Sequence, residues 1–518
     1  MLIHHYLEFY ARNYPSQSCI TLNDTSITYA QLELRVNQLA NGLHADGIAT
    51  GDRVAIMGRN SAEHALLFYA ASKIGAVAVS LNYRLAVDEL YYILQDANVR
   101  VLIALDDTLS ETLDALRQKL DASVRVFGSS AAEIKDWETW LSQQADTKPL
   151  IEASPQDPLL QLYTSGTTGR PKGAVSNHSN LLAQATMNIT ALAYRARYGD
   201  PELVTAPLFH IGGVGGLIIS INCGQHMILH QEFNPKAVVD DLHRYGVKGI
   251  FMVPAMIAAV LNVPSIESKP FTELEQIYYG AAPISESLLK KAMQVFGADF
   301  VQMYGMTETT GTISTLSAED HKRAISGKPE LLRSCGRPSA GAKMKIIDTD
   351  GNELPVGEVG EFCIKADCVM MGYYQLPEQT ATTLIDGWLH TGDAGYCDDE
   401  GYFYLKDRIK DMVVSGGENI YPAEVENILS GHENIQEVAV IGVPCDKYGE
   451  SLLAILVTID GKELPVDEMI DYCRGKIAGY KIPRKNKLID VLPRNPSGKI
   501  LKTVLREPYW VDVGRNIG

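Results

Sequence analysis

The feature that most constrains the fold of this chain is an alternation of short apolar runs with helical patterns in its first part. Residues 53–57 (Arg-Val-Ala-Ile-Met) and 76–79 (Ala-Val-Ala-Val) are nearly continuous apolar runs, which is typical of strands buried on both faces. Between them, a helical pattern begins after Ser61 and ends near Gly75. Similar alternation recurs between residues 204 and 277. Such units predict an α/β fold of mostly parallel sheets with helices on both faces.

The pattern changes near Arg337, where turn signals such as Asp350-Gly351 become frequent and short strands, such as 343–347 and 361–364, lie between them. This spacing predicts a β-rich unit. A second change near residues 407–411 precedes a smaller segment that contains both helical and strand patterns. The sequence therefore predicts a large α/β part, a β-rich part and a small α+β part, in that order.

Composition excludes several other classes of protein. The 518 residues are 46% hydrophobic and 21% charged, which is ordinary for a globular protein and unlike disordered, collagen-like or coiled-coil chains. The eight cysteines form no Cys-x-x-Cys pair, so we expect reduced, mostly buried thiols. The N-terminus lacks a secretory leader pattern, and the apolar stretch 211–221 is too short to span a bilayer. We expect a cytoplasmic protein with no transmembrane segment.

The formal net charge is −17, with 46 basic and 63 acidic residues, which disfavours nucleic acid as a partner. The basic residues are nevertheless concentrated near the C-terminus. Between residues 474 and 506 the only acidic residue is Asp490, so this segment could meet the phosphates of a small molecule. Its basic residues are Arg474, Lys476, Lys481, Arg484, Lys485, Lys487, Arg494, Lys499, Lys502 and Arg506.

The most informative string is 163–173, Tyr-Thr-Ser-Gly-Thr-Thr-Gly-Arg-Pro-Lys-Gly, which follows an apolar run. Its glycines let backbone N–H groups approach an anion, its hydroxyls add donors, and Lys172 adds a positive charge. It is not a Walker A loop, because Lys172 is followed by glycine and has no glycine directly before it. The string predicts a polyphosphate site formed by Thr164, Ser165, Gly166, Thr167, Thr168 and Lys172.

Two further strings carry groups suited to a nucleotide. Residues 304–309, Tyr-Gly-Met-Thr-Glu-Thr, place an aromatic ring near a carboxylate, and these groups suit a base and Mg²⁺ respectively. Residues 388–393, Trp-Leu-His-Thr-Gly-Asp, end in Asp393, whose two oxygens can accept both hydroxyls of a ribose. Each group alone would be an ordinary surface residue, and it is their order along the chain that is specific.

In that order, these strings resemble the motifs of the adenylate-forming (AMP-binding) superfamily, and in particular those of the acyl-CoA synthetase or fatty-acid–CoA ligase family. Strings at 278–283, 407–411 and 493–500 extend the resemblance along nearly the whole chain. The resemblance implies an N-terminal adenylation domain of stacked, mostly parallel sheets and a small mobile C-terminal lid. Its domains would be 1–409, with a β-rich subdomain at about 337–409, a hinge at 410, and the lid at 411–518.

The resemblance also implies a role for individual residues. Tyr304 would stack on adenine, Thr307 would reach the phosphates, and Glu308 would hold Mg²⁺. Lys499 would be the catalytic lysine, and His210 would gate the acyl pocket. Further nucleotide contacts would come from Gly280, Ala281, Ala282, Asp393 and Arg408. The hinge residue would be Lys410, the path of coenzyme A would include Ser415, Gly416 and Gly417, and the acyl pocket would include His210, Gly213, Val214, Met303, Gly305 and Met306.

The implied reaction has two steps. A carboxylate attacks the α-phosphate of ATP to give an acyl-AMP and pyrophosphate, and a thiol, usually that of coenzyme A, then attacks the acyl carbonyl. The first step brings anions together, so Lys499, Lys172 and Mg²⁺ would supply positive charge. The second step follows a rotation of the small domain about its hinge.

The expected acyl pocket is lined by apolar or small residues, which suits an alkyl or aryl acid. The leading expectation is therefore an acyl-CoA ligase for a medium or long fatty acid. The alternatives are an aryl- or other small-acid CoA ligase, an acyl-AMP ligase that loads a separate carrier protein, a luciferase-like oxygenase and a non-catalytic nucleotide-binding protein. Because nineteen residues follow Lys499, we expect no fused carrier domain. A homo-oligomer is compatible with the sequence.

Overall fold

The computed structural model describes residues 1–128, 130–151, 153–164, 170–191, 197–282, 284–408, 411–415, 418–445, 447–494 and 500–510. Its strands are β1 (Ser18–Leu22), β2 (Thr25–Thr28), β3 (Arg53–Met57), β4 (Val77–Leu81), β5 (Val99–Ile103), β6 (Arg125–Phe127), β7 (Pro158–Thr164), β8 (Lys172–Asn177), β9 (Pro201–Val204), β10 (His226–Leu229), β11 (Gly249–Met252), β12 (Gln276–Gly280), β13 (Asp299–Met306), β14 (Gly311–Leu316), β15 (Arg337–Pro338), β16 (Lys343–Ile347), β17 (Gly360–Lys365), β18 (Gly372–Tyr373), β19 (Leu384–Ile385), β20 (Trp388–Cys397), β21 (Phe403–Arg408), β22 (Val413–Ser415), β23 (Glu418–Ile420), β24 (Ile435–Cys445), β25 (Gly449–Thr458) and β26 (Lys485–Leu488).

The helices lie between these strands in the alternation that the sequence predicts. They are α1 (His4–Asn13), α2 (Tyr29–Ala45), α3 (Ala62–Ile74), α4 (Val87–Asp96), α5 (Ser110–Arg117), α6 (Ala131–Ser142), α7 (His178–Ala191), α8 (Ile211–Asn222), α9 (Pro235–Arg244), α10 (Pro254–Leu261), α11 (Glu286–Phe296), α12 (Ala318–Ile325), α13 (Pro377–Thr383), α14 (Pro422–Leu429), α15 (Val466–Cys473) and α16 (Lys502–Trp510).

Two large sheets form the N-terminal part of the molecule. The seven-stranded sheet has the order β18-β8-β7-β4-β3-β5-β6, and it is parallel from β7 to β6. The nine-stranded sheet has the order β15-β14-β13-β12-β11-β9-β10-β1-β2, and it is parallel from β13 to β1. Both sheets carry antiparallel strands at their edges. The predicted α/β class with mostly parallel sheets is therefore confirmed.

Two five-stranded sheets follow, one in the β-rich part and one in the small C-terminal part. The first is antiparallel, with the order β16-β17-β20-β19 and β21 paired to β20. The second has the order β23-β22-β25-β24, with β26 paired in parallel to β25. Helices α14 and α15 pack on one face of the second sheet, as expected for a small α+β unit.

Local signals explain where several helices begin and end. Thr28 caps α2, because its hydroxyl accepts from Gln31 N while the Gln31 side chain accepts from Thr28 N. Gly75 closes α3 in the left-handed conformation, at φ 72°. Ser61 occupies the N-cap position of α3 but makes no capping bond. Its hydroxyl lies 3.2 Å from Nδ1 of His64 instead.

The apolar stretch 211–221 forms most of α8, which is a buried helix rather than a membrane span. Within the described ranges, no helix has both the length and the apolar character needed to cross a bilayer. The eight cysteines all belong to the described part and are free thiols, five of them buried. The prediction of free, mostly buried cysteines is therefore confirmed, and burial raises the pKa of the Cys368 thiol to about 12.

Candidate active site

The predicted phosphate loop connects β7 to β8, which pair antiparallel. Thr164 at the end of β7 pairs with Lys172 at the start of β8. The loop residues Ser165, Gly166, Thr167 and Thr168 lie outside the described residues. The sequence predicted the strand before the loop, but it did not show that the segment after the loop returns beside it. This pairing places Lys172 directly at the loop's base.

Tyr373 links Lys172 to the predicted metal ligand Glu308. Its hydroxyl donates to Glu308 Oε1 at 2.8 Å, and Lys172 Nζ lies 4.9 Å from the centroid of its ring. Burial, together with the carboxylate of Glu308, raises the pKa of Tyr373, so its hydroxyl stays protonated and donates. Tyr373 is on β18, which pairs with β8. Tyr373 belongs to none of the motifs that the sequence predicted.

Glu308 itself is buried, with 7% of its surface exposed. It lies in a short 3₁₀ helix, Thr307–Thr309, that directly follows β13. Its backbone carbonyl accepts from Met370 N at 2.9 Å, which ties the helix to the segment before β18. A buried carboxylate with one oxygen held by a tyrosine presents a fixed, hard oxygen ligand, which is the kind that Mg²⁺ prefers.

A second buried carboxylate, Asp393, is 2% exposed and lies on β20. Tyr304 donates to its Oδ2 at 2.6 Å, and Nε of Arg408 forms an ion pair with its Oδ1 at 2.6 Å. Asp393 and Arg408 are direct cross-strand partners in the β20–β21 pairing. Because each carboxylate oxygen can accept more than one donor, Asp393 keeps the capacity to accept ribose hydroxyls.

Tyr304, which was predicted to stack on adenine, contacts both Asp393 and Phe362 in the structure. Its hydroxyl fixes Asp393, while its ring lies edge-on to Phe362 with the two centroids 5.9 Å apart. Burial, reinforced by the Asp393 carboxylate, raises the pKa of Tyr304 well above its usual value. The tyrosine is therefore a permanent donor that joins β13 to β20.

The residues of β20 just before Asp393 are held by strand β17, at an irregularity in the pairing of the two strands. The Gly392 N–H donates to Glu361 Oε1 at 2.8 Å, and Nδ1 of His390 lies 3.0 Å from Glu361 Oε2. Thr391 donates its hydroxyl to the carbonyl of Phe362 at 2.9 Å and accepts from Asp393 N at 3.0 Å. Glu361 is thus a positioning residue for this part of β20, and no motif in the sequence pointed to it.

Two predicted glycines allow three strands of the nine-stranded sheet to approach one another. A Cβ atom at Gly280 would lie 2.1 Å from the carbonyl oxygen of Met303, and one at Gly305 would lie 1.9 Å from that of Gly311. Ala281, which follows β12, has a left-handed φ of 66°, and Ala282 continues the segment. These residues therefore form the ends of β12 and β13 next to Tyr304.

His210 is the residue directly before α8. Burial lowers the pKa of His210 to about 4, with a smaller effect from Arg84, so the imidazole is neutral at pH 7. Among the residues that the structure describes, none is a hydrogen-bond partner of its Nε2. The neutral ring lies beside Phe209, with the ring centroids 4.7 Å apart. A neutral ring of this kind can lie against an acyl chain at the entrance of a pocket without burying a charge.

Helix α8 supplies small residues to the same region. A Cβ atom at Gly213 would lie 2.2 Å from the carbonyl oxygen of Pro207, so that position accepts only glycine. A Cβ atom at Gly215 would have no atom of the described structure within 4 Å. Met303 and Met306 on β13 are only partly buried. Val214, by contrast, packs into the large apolar core of the N-terminal part.

The predicted residues of the C-terminal part are described only in part. Ser415 ends β22 and donates to the carbonyl of Glu450 at 2.7 Å. Lys410, Gly416, Gly417 and Lys499 lie outside the described residues.

A buried ion cluster lies next to the predicted hinge. Lys502 Nζ is 2.8 Å from Glu426 Oε1 and 3.8 Å from Asp407 Oδ2, and Asp407 Oδ2 accepts from Ala423 N at 3.0 Å. Burial of Glu426 raises its pKa, although Lys502 opposes this effect. The cluster ties α14 and α16 to the end of β21, so Asp407 is attached to the C-terminal part of the molecule.

Glu308 and Asp393 are buried carboxylates that accept from tyrosine hydroxyls, with Lys172 beside Tyr373 and Arg408 paired with Asp393. This set of groups is typical of an enzyme site that binds a nucleotide with its metal ion. Comparison with known families makes the assignment specific. Residues 7–374 match the model of the AMP-binding enzyme family, and residues 424–499 match that of the AMP-binding enzyme C-terminal domain. The chain therefore belongs to the AMP-binding enzyme family, as an AMP-forming acid–thiol ligase.

Relatives and a solved structure agree with this assignment over nearly the full length. The fatty acid–[acyl-carrier-protein] ligase ScoC of Streptomyces coeruleorubidus is 37% identical over 514 residues, covering 98% of this chain and 96% of the relative. The long-chain fatty acid–CoA ligase FadD13 of Mycobacterium tuberculosis is 38% identical over 493 residues, covering 95% and 94%. The structure of ATP-bound MatB from Rhodopseudomonas palustris matches with a TM-score of 0.89 at 28% identity, covering 99% and 100%.

Proposed function

We propose that the protein activates a medium or long fatty acid with ATP and transfers the acyl group to coenzyme A. The observation that carries the proposal is the arrangement around Tyr373, which holds the carboxylate of Glu308 and lies beneath the ammonium group of Lys172. A cation and a carboxylate that both contact one tyrosine side chain suit a polyphosphate and the Mg²⁺ that it carries.

In the first step, each part of the site binds a different part of ATP. Asp393, fixed by Tyr304 and Arg408, would accept the ribose hydroxyls. Lys172 and the loop residues Thr164, Ser165, Gly166, Thr167 and Thr168 would bind the phosphates with Thr307, and Gly280, Ala281 and Ala282 would lie beside the adenine. Glu308 would hold Mg²⁺, which neutralises phosphate charge when bound. Lys499 would stabilise the charge that develops during carboxylate attack.

The acid would enter past His210, whose neutral ring lies directly before α8 and beside Phe209. Gly215 on α8, together with the partly buried Met303 and Met306 on β13, supports an acyl pocket at this place. Gly213 and Gly305 would contribute through close backbone packing. Val214 would support the pocket indirectly, because it packs α8 into the apolar core.

In the second step, the C-terminal domain, proposed as 411–518, would rotate against residues 1–409 about Lys410. In this structure the ion cluster of Asp407, Glu426 and Lys502 joins the end of β21 to the C-terminal helices across the proposed pivot, so the rotation would have to separate Asp407 from Lys502. Ser415, Gly416 and Gly417 would then line the path of the pantetheine thiol. Rotation about a few residues is a common way to exchange one active-site lining for another.

A separate acyl carrier protein is a second candidate acceptor. It is favoured by the similarity to ScoC, whose name describes a fatty acid–[acyl-carrier-protein] ligase, over 98% of this chain. Both acceptors present a pantetheine thiol, so the first half-reaction would be the same for both.

The test is to incubate the protein with ATP, Mg²⁺, a panel of alkyl and aryl acids, and either coenzyme A or a carrier protein bearing a pantetheine arm. Thioesters and acyl-AMP are read by mass. The proposal expects an acyl-CoA from an aliphatic acid. If acyl-AMP forms and a thioester appears only on the carrier protein, the acceptor is the carrier protein and not coenzyme A. The absence of any aliphatic thioester would refute the fatty-acid assignment.

A further inference from the structure

The described part of α7 contains a buried pair of amide side chains that no step of the proposed reaction uses. Gln184 and Asn188 are each 5% exposed, and Nε2 of Gln184 donates to Oδ1 of Asn188 at 3.1 Å. No described residue donates to Oε1 of Gln184. Buried polar atoms in folded proteins nearly always have partners, so an acceptor without one calls for a reason.

The amide pair lies at the predicted acyl pocket. A Cβ atom at Gly311 would be 3.2 Å from the carboxamide carbon of Gln184, and Gly311 is the cross-strand partner of Met306. On the same helix, Ala183 and Met187 pack with Met306 in one apolar cluster. The unpaired oxygen of Gln184 is therefore next to β13 and β14, at the end of the strands that the acid would approach.

The chemistry of the pair narrows what it could bind. The carboxamide oxygen is neutral and accepts a hydrogen bond, so it would not hold an anion. An unbranched alkyl chain beside it would leave the acceptor unsatisfied, which is unfavourable in a buried place. A hydroxyl or amide group on the acid could donate to the Gln184 oxygen and remove that cost.

We propose that the Gln184–Asn188 pair is a binding subsite for a hydrogen-bond donor on the acid, so that the preferred acid carries a hydroxyl or amide group on its chain. The inference rests on the proposed function, since it concerns the acid that this site would activate. A site built to satisfy a polar group discriminates against the analogue that lacks it more strongly than an apolar pocket rejects an extra group.

The experiment compares straight-chain acids that differ in the position of one hydroxyl with the unsubstituted acid of the same length. Acid-dependent pyrophosphate release gives kcat/KM for each acid. We expect at least one hydroxylated acid to exceed its unsubstituted partner by about 10- to 100-fold. In the double variant Gln184→Leu/Asn188→Leu this ratio should fall to about one, with the unsubstituted acid used as well as before or better.

The double variant removes both members of the pair, so it leaves no new unpaired amide and the fold should persist; the thermal unfolding midpoint checks this. Thr186→Val, on the exposed side of the same helix, is the matched control and should leave the ratio unchanged. The inference alone is overturned if the wild-type protein uses unsubstituted acids at least as well as all hydroxylated ones. It is also overturned if the double variant lowers kcat/KM equally for the hydroxylated and the unsubstituted acid. If no acid is adenylated, the proposed function fails as well.

Discussion

Replacing Tyr373 with phenylalanine isolates one contact of the site. The change removes the hydroxyl that donates to Glu308 Oε1 at 2.8 Å, and it keeps the ring that lies 4.9 Å from Lys172 Nζ. If Glu308 holds Mg²⁺, its carboxylate loses the donor that fixes its direction. The loss should therefore appear mainly in the dependence of adenylation on Mg²⁺.

The size of the effect follows from the kind of hydrogen bond that is lost. A bond from a neutral donor to an ionised acceptor contributes about 1.5–3 kcal/mol, and about 1.4 kcal/mol corresponds to a tenfold change. Loss of a group that orients a metal ligand typically lowers metal affinity or activity by about 10- to 100-fold. We expect the Mg²⁺ concentration for half-maximal adenylation to rise by roughly that factor.

The assay is acid-dependent pyrophosphate release measured over a range of Mg²⁺ concentrations. Tyr374→Phe is the matched control, because the Tyr374 hydroxyl accepts from Nε2 of Gln375 at 3.0 Å, whereas the Tyr373 hydroxyl donates to Glu308. Saturating Mg²⁺ should restore most of the activity of Tyr373→Phe. An unchanged Mg²⁺ dependence in this variant, or an equal change in the control, would refute the link between Tyr373 and a metal at Glu308.

Three further variants test other parts of the account. Asp393→Asn should raise KM for ATP by about 10-fold or more and destabilise the fold, because it leaves Arg408 without its buried partner; ATP titration and urea unfolding measure both. Lys499→Ala should lower acyl-AMP formation by about 100- to 1,000-fold but still convert supplied acyl-AMP to thioester. Burial raises the pKa of Glu202 from 4.5 to about 8, so the native state keeps a proton that the unfolded state releases. The free energy of unfolding should therefore fall as pH rises from 4.5 to about 8, and Glu202→Gln should lack this fall and be the more stable protein at pH 8.

Local structure was largely readable from the sequence. The strands at 53–57 and 343–347 occur with the expected bounds. An apolar run, or apolar residues mixed with lysines, leaves few alternatives when glycine and turn residues bound it. The strand expected at 361–364 extends by one residue at each end. Such ends depend on pairing with a neighbouring strand, which a single segment cannot reveal.

The contacts between motifs were not readable in the same way. Tyr304 and Asp393 are 89 positions apart, and Glu308 and Tyr373 are 65 positions apart. Their hydrogen bonds depend on how β13 meets β20 and on how β18 pairs with β8. Tyr373 sits in an ordinary Gly-Tyr-Tyr string, so nothing local distinguishes it from Tyr374. Only the tertiary arrangement shows that one of the two tyrosines supports the proposed metal ligand.

The most direct test of the central claim follows the oxygen atoms of the acid. The protein is given ATP, Mg²⁺, coenzyme A or a pantetheine-bearing carrier protein, and an acid labelled with ¹⁸O in its carboxylate. If the carboxylate attacks the α-phosphate and a thiol then displaces AMP, one labelled oxygen must appear in the phosphate of AMP, and the thioester must retain the other. Label in inorganic phosphate together with ADP, or AMP without label, would contradict an acyl-adenylate intermediate.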